Sequence, residues 1–146
     1  MSTENINISS TNVKGKCDNK CSYAFKYSES SSTAKNNGVL INLTYDSTSV
    51  PPVVYNSEKY IDENINIVSP SIHTFNNVSM PGEIIISHTP QSGGIPLKVC
   101  IPFTSSSESS SASQIITDII KKVASNAPSE GNSTNLNMNF SLQQIV

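Results

Sequence analysis

Tryptophan is absent from this sequence, histidine occurs only twice, at His73 and His88, and cysteine three times, at Cys17, Cys21 and Cys100. Each scarcity removes some chemistry. The C-x3-C pair Cys17/Cys21 lacks the second Cys/His pair that a structural zinc site needs. Charge is also sparse. Only 14% of residues are charged, the formal net charge is -2, and without a block of like charges no phosphate-binding face is expected, so nucleic acid is not the expected partner. No apolar run approaches the roughly 20 residues of a membrane span. The N-terminal "MSTENINISS" lacks the basic start and apolar stretch of a signal peptide. G-x-S-x-G, P-loop and dinucleotide-binding fingerprints are missing as well.

Serine, threonine and asparagine fill the space. They create five N-x-S/T sequons, at Asn7, Asn42, Asn77, Asn132 and Asn139, where composition alone yields about four, so the motifs carry no information about secretion. With 146 residues the chain suits one domain, read as 21–146 behind an N-terminal arm, 1–20. Cys100, in the apolar run "PLKVCIPF", reads as an inert buried thiol; Cys17 and Cys21 are open to bridging or to remaining reduced.

The patterning is mostly β. Alternation marks strands at Cys21–Tyr27, Val39–Tyr45, Tyr60–Val68, Gly82–His88 and Leu97–Phe103, the last two joined by the turn-rich "TPQSGGIP" as an antiparallel pair. "SESSSTAKNNG" reads as a long connection of turn chemistry. After the serine run the period changes: Ile115, Ile116, Ile119, Ile120 and Val123 share one face of a helix over 114–124, and "LNMNFSLQQIV" alternates enough for a final short strand. Glu83 lies between the two histidines, a combination from which a metal or acid/base centre is built. On the fourth strand, however, Glu83, Ile85 and Ser87 face one way and Ile84, Ile86 and His88 the other. Neighbours on a strand also diverge, so Ser87 and His88 form no local catalytic couple.

Several segments in order resemble the α-carbonic anhydrase family. Its Ser-Glu-His, then Glu-x-His-x2-His pattern aligns without gaps on Ser71, Ile72, His73, Glu83, Ile85 and His88. "SYAFKYSESSSTAKNNGVLINLTYD" resembles its early strand, Asn-Asn-Gly turn and next strand; "PLKVCIPF" resembles the strand after the third ligand, and residues 115–146 its helix, linker and following segment. The resemblance implies a mainly β fold, an antiparallel or mixed sheet with one covering helix, equal to the first two-thirds of that fold. It also implies a zinc held by two histidines at i and i+2 on one strand and a third on its neighbour. Here the third position is Ile85, and the neighbouring strand offers Asn64 and Asn66, or Ile65 and Ile67 in the other register. Neither pair is a zinc ligand set, and two histidines cannot complete a three-histidine site. His73, Glu83 and His88 are then a structural remnant of the shell around that site, with no metal and no cofactor expected.

The expected function is therefore a non-catalytic, carbonic-anhydrase-like structural or interaction protein. The same resemblance extends to divergent copies in large DNA viruses, which implies a minor virion protein, assembled in host cytoplasm and held by neighbouring capsid chains or by its own copies. The alternatives are a glycan- or receptor-binding adhesin, for which Tyr55 and Tyr60 are the candidate aromatics, and an active zinc lyase. Because the family continues beyond the point matched by Val146, the core side of Ile65, Ile67, Ile84 and Ile86 is expected to need cover from another chain.

Overall fold

The computed structural model describes residues 5–13, 22–45, 51–126 and 129–146; Cys17 and Cys21 lie outside them. In chain order the elements are β1 (Asn7–Ile8), β2 (Tyr23–Phe25), β3 (Glu29–Asn36), β4 (Leu40–Leu43), β5 (Val53–Tyr55), β6 (Glu58–Val68), β7 (Thr74–Phe75), β8 (Val78–Ser79), β9 (Gly82–Pro90), β10 (Leu97–Phe103), α1 (Ser111–Asn126) and β11 (Ser133–Ser141). The main sheet runs β10-β9-β6-β4-β3-β11, with β5 joining β6 and β2 joining β5. Every pairing in it is antiparallel. A small second sheet, β1-β7-β8, includes one parallel pair. The N-terminal segment read as an arm thus contributes β1, beside Thr74 and Phe75. No helix among the described residues is long and apolar enough to cross a membrane.

The central strands carry the core. Two rows of apolar side chains cross the sheet on one face, Ile41-Ile67-Ile84-Ile101 and Leu43-Ile65-Ile86-Val99, each set by direct cross-strand partners. Ile119 and Val123 of α1 and Leu136 and Phe140 of β11 join them in one buried cluster, and Ile65, Ile67, Ile84 and Ile86 are all buried within the chain. The expectation that another chain must cover this face is corrected. The amphipathic helix supplies the cover instead, its apolar stripe satisfied by the sheet. Its start is fixed by a reciprocal serine cap, Ser113 N–H donating to Ser110 Oγ at 3.1 Å and Ser110 N–H to Ser113 Oγ at 2.8 Å.

Two local differences from the sequence reading have physical causes. The "connection" 28–38 is largely strand β3, because Ser30, Ser32 and Ala34 alternate inward; the sheet accepts them as small side chains, and Ser32 Oγ donates to Thr44 O at 2.7 Å. No apolar alternation announces such a strand. The strand read at 21–27 shortens to β2 and pairs with β5, which the prolines at 51 and 52 disguised. The turn after β5 uses Asn56 and Ser57 at positive φ, 52° and 66°, the mirror-type geometry that matches strand twist.

Candidate functional site

The face opposite the core carries Asn42, Asn64, Asn66, Glu83 and Cys100. Register settles which residues of β6 share it with β9: Asn66 pairs with Ile85 and Asn64 with Ser87, whereas Ile65 and Ile67 point into the core. One lateral row therefore reads Asn42, Asn66, Ile85, Cys100 across four strands, and the next holds Asn64, Ser87 and Lys98. Within it the amides bind one another. Asn42 Nδ2 donates to Asn66 Oδ1 at 2.8 Å, and Asn66 Nδ2 to Asn64 Oδ1 at 3.3 Å. Ile85 beside them is 2% exposed.

A hairpin docks on the end of this face. β7 and β8 turn through Asn76 and Asn77 at φ 51° and 65°, and Ser71 ties the hairpin base. Its N–H donates to Met80 O at 3.0 Å, its Oγ accepts from Met80 N–H at 2.9 Å, and the same hydroxyl donates to His73 O at 2.7 Å. Glu83 then catches the hairpin from below. Its Oε2 accepts the N–H groups of Ile72 at 3.0 Å and His73 at 3.1 Å, while Oε1 lies 2.6 Å from His73 Nδ1. Both side chains are buried, Glu83 fully so. A carboxylate so enclosed is tolerated because both oxygens have partners.

His88 stands on the other face, away from Glu83, as strand alternation dictates. Its Nε2 lies 2.6 Å from Tyr27 Oη, and Tyr27 Oη is 3.2 Å from Tyr23 Oη. The register shift in β6 between Asp62 and Asn64 brings Asp62 opposite His88. Asp62 Oδ2 and His88 Nδ1 are both buried without a hydrogen-bond partner. Burial raises the pKa of Asp62 and lowers that of His88, the latter partly offset by backbone carbonyls of Leu97 and Ile86 outside good hydrogen-bond geometry. Tyr27 is raised by burial first, then by Tyr23 and the nearby Asp62 charge.

The structure thus joins His73 to Glu83 and separates His88 from both. It also brings in Cys100, which the sequence reading left as an inert core thiol. Cys100 is half-buried, two residues from Glu83's cross-strand partner Pro102 and on the same face, and burial followed by the Glu83 charge pushes its thiol up to about 12. The signal was the β9–β10 register, hidden because the length of the turn at 91–96 is not readable from "TPQSGGIP". Tyr55 and Tyr60, the candidate aromatics of a binding groove, pack against or within the core instead.

No family model matches the chain, and no curated protein matches it. Solved structures do. A hyperthermostable carbonic anhydrase from an active hydrothermal vent chimney superposes with a TM-score of 0.70 at 20% identity, covering 99% of this chain and 58% of that one. The α-carbonic anhydrase of Thermovibrio ammonificans, solved with sulfanilamide, gives 0.70 and 20%, covering 95% and 56%. Dioscorin, solved with ascorbate, gives 0.67 and 20%, covering 93% and 54%. The chain spans a little over half the length of the structures it matches, and at such identities the likeness is one of fold. What it shows is a mainly β, curled antiparallel sheet with one helix, the α-carbonic anhydrase fold over most of this chain.

Proposed function

We propose that the chain is a non-catalytic, carbonic-anhydrase-like structural or interaction module. The observation that carries the reading is that Asn64, Asn66 and Ile85 share one face of β6 and β9. The fold family implies a zinc, and these side chains do not fit one. The two amides are occupied with each other and with Asn42, and isoleucine offers no lone pair. With no donor set at these positions to hold a zinc, a water there has no ion to lower its pKa to about 7, on which hydration of carbon dioxide depends. The remaining polar anchor, His73 with Glu83, holds the hairpin to the sheet.

Sheet order supports the interaction half of the reading. Among the described residues β10 and β11 each pair on one side only, leaving backbone groups open to a further strand. The partner proposed is a neighbouring capsid chain or a second copy, in a large-virus particle assembled in host cytoplasm; that placement rests on the sequence resemblance. Dioscorin bears the same fold, and fold alone fixes no activity. The test is stopped-flow hydration of carbon dioxide by zinc-supplemented protein. A rate equal to the buffer blank is expected; catalysis abolished by a chelator would overturn the reading in favour of a zinc lyase.

A further inference from the structure

Among the described residues, His73, Glu83 and Cys100 bring an imidazole nitrogen, a carboxylate oxygen and a thiol sulfur within 4.8 Å of one another. We propose that these three side chains form a binding site for a thiophilic divalent cation of the zinc type, next to Ile85, which Cys100 faces directly across the strands, and without Asn64 or Asn66 as a ligand. Three features of the geometry support it. First, the donor set is mixed N, O and S, which suits zinc and cobalt and is poor for magnesium or calcium. With metal–ligand bonds of about 2.0–2.3 Å, tetrahedral donors sit about 3.3–3.7 Å apart, so the ion replaces the His73–Glu83 hydrogen bond, opening that contact from 2.6 Å, and draws in the sulfur from within 4.8 Å. Second, the carboxylate is already fixed. Glu83 Oε2 is held by the N–H groups of Ile72 and His73, leaving Oε1 aimed at the imidazole. Third, Glu83 and His73 are buried and Cys100 is half-buried, so the donors are largely shielded from competing water.

The charge balance is favourable. The sulfur–metal bond forms as the S–H proton leaves to solvent. The imidazole stays neutral, giving the metal the lone pair of one nitrogen and keeping its proton on the other. Carboxylate and thiolate then offset the two charges of the ion, and the occupied site is neutral in a buried setting.

The test uses the full chain carrying Cys17→Ser and Cys21→Ser, so that Cys100 is the sole thiol. Titration with cobalt(II) should produce a near-ultraviolet thiolate-to-metal band that saturates at one equivalent and is bleached by zinc. X-ray absorption of the zinc form should show one sulfur neighbour at about 2.3 Å with nitrogen or oxygen neighbours. Adding Cys100→Ser should abolish the band and weaken zinc binding at least tenfold. The absence of a thiolate band, a zinc shell of nitrogen and oxygen alone, or undiminished affinity in the Cys100→Ser chain would each overturn the proposal.

Discussion

Replacing Glu83 by alanine removes the acceptor for three donors at once: two backbone N–H groups of the docked hairpin and the ring of His73. A buried donor left unpaired costs about 1–3 kcal/mol, so the loss is about 3–9 kcal/mol if the hairpin stays in place. Undocking would let water reach the two N–H groups and hold the cost near the lower end. Even that is a large part of a typical stability of about 5–15 kcal/mol. Glu83→Gln separates charge from connectivity. Its amide oxygen can accept both N–H groups and its NH2 can donate to His73 in the other tautomer, so the expected loss is about 1 kcal/mol, the difference between charged and neutral hydrogen bonds. Urea unfolding followed by circular dichroism reads both variants, with the slope checking that the transition stays two-state. If Glu83→Ala lay within 1 kcal/mol of the unsubstituted chain, or Glu83→Gln were the worse of the two, the carboxylate would not be the clasp described.

Other expectations follow from the same coordinates. An unfolded histidine gains its proton as pH falls through about 6.5, whereas buried His88, with its pKa lowered, resists; stability should fall as pH drops below that value, and His88→Gln should flatten the fall in acid-range unfolding curves. Asp62 acts in the opposite direction: its raised pKa penalises the folded state at neutral pH and relieves it on acidification, so the stabilisation gained by Asp62→Asn should be larger at pH 8 than at pH 4. Gly82→Ala would drive its Cβ into the Phe103 ring across the β9–β10 pair, and a clear drop in melting temperature is expected, recovered in part by Phe103→Leu. Ile119→Ala, at a position 1% exposed, should cost about 2–5 kcal/mol, against under about 0.5 kcal/mol for Ile95→Ala at 86% exposure, both measured by urea unfolding.

How far the sequence announced this structure depended on which force shaped each element. β10 has the bounds read from alternation, and β9 and α1 were recognised with only their ends extended, because burial of isoleucine and valine leaves a visible period. β3 was hidden since Ser30, Ser32 and Ala34 occupy inward positions through size and hydrogen bonding, not hydrophobicity. Asn64 and Asn66 against Ile65 and Ile67 is a one-residue choice of register, and the core rows decide it. The same strand shows the limit of counting by twos. Its irregularity at Asp62 and Asn64 places Asp62 opposite His88, which an unbroken alternation could not suggest. Cys100 beside Glu83 required the β9–β10 register, a property of the pair of strands and not of either one.

Anomalous diffraction at the zinc edge from a zinc-soaked crystal shows what the polar face holds. No zinc peak is expected among Asn64, Asn66 and Ile85, where amides bind amides and the third side chain is aliphatic. A well-occupied peak bounded by Asn64 and Asn66 with a water in its open position would contradict it.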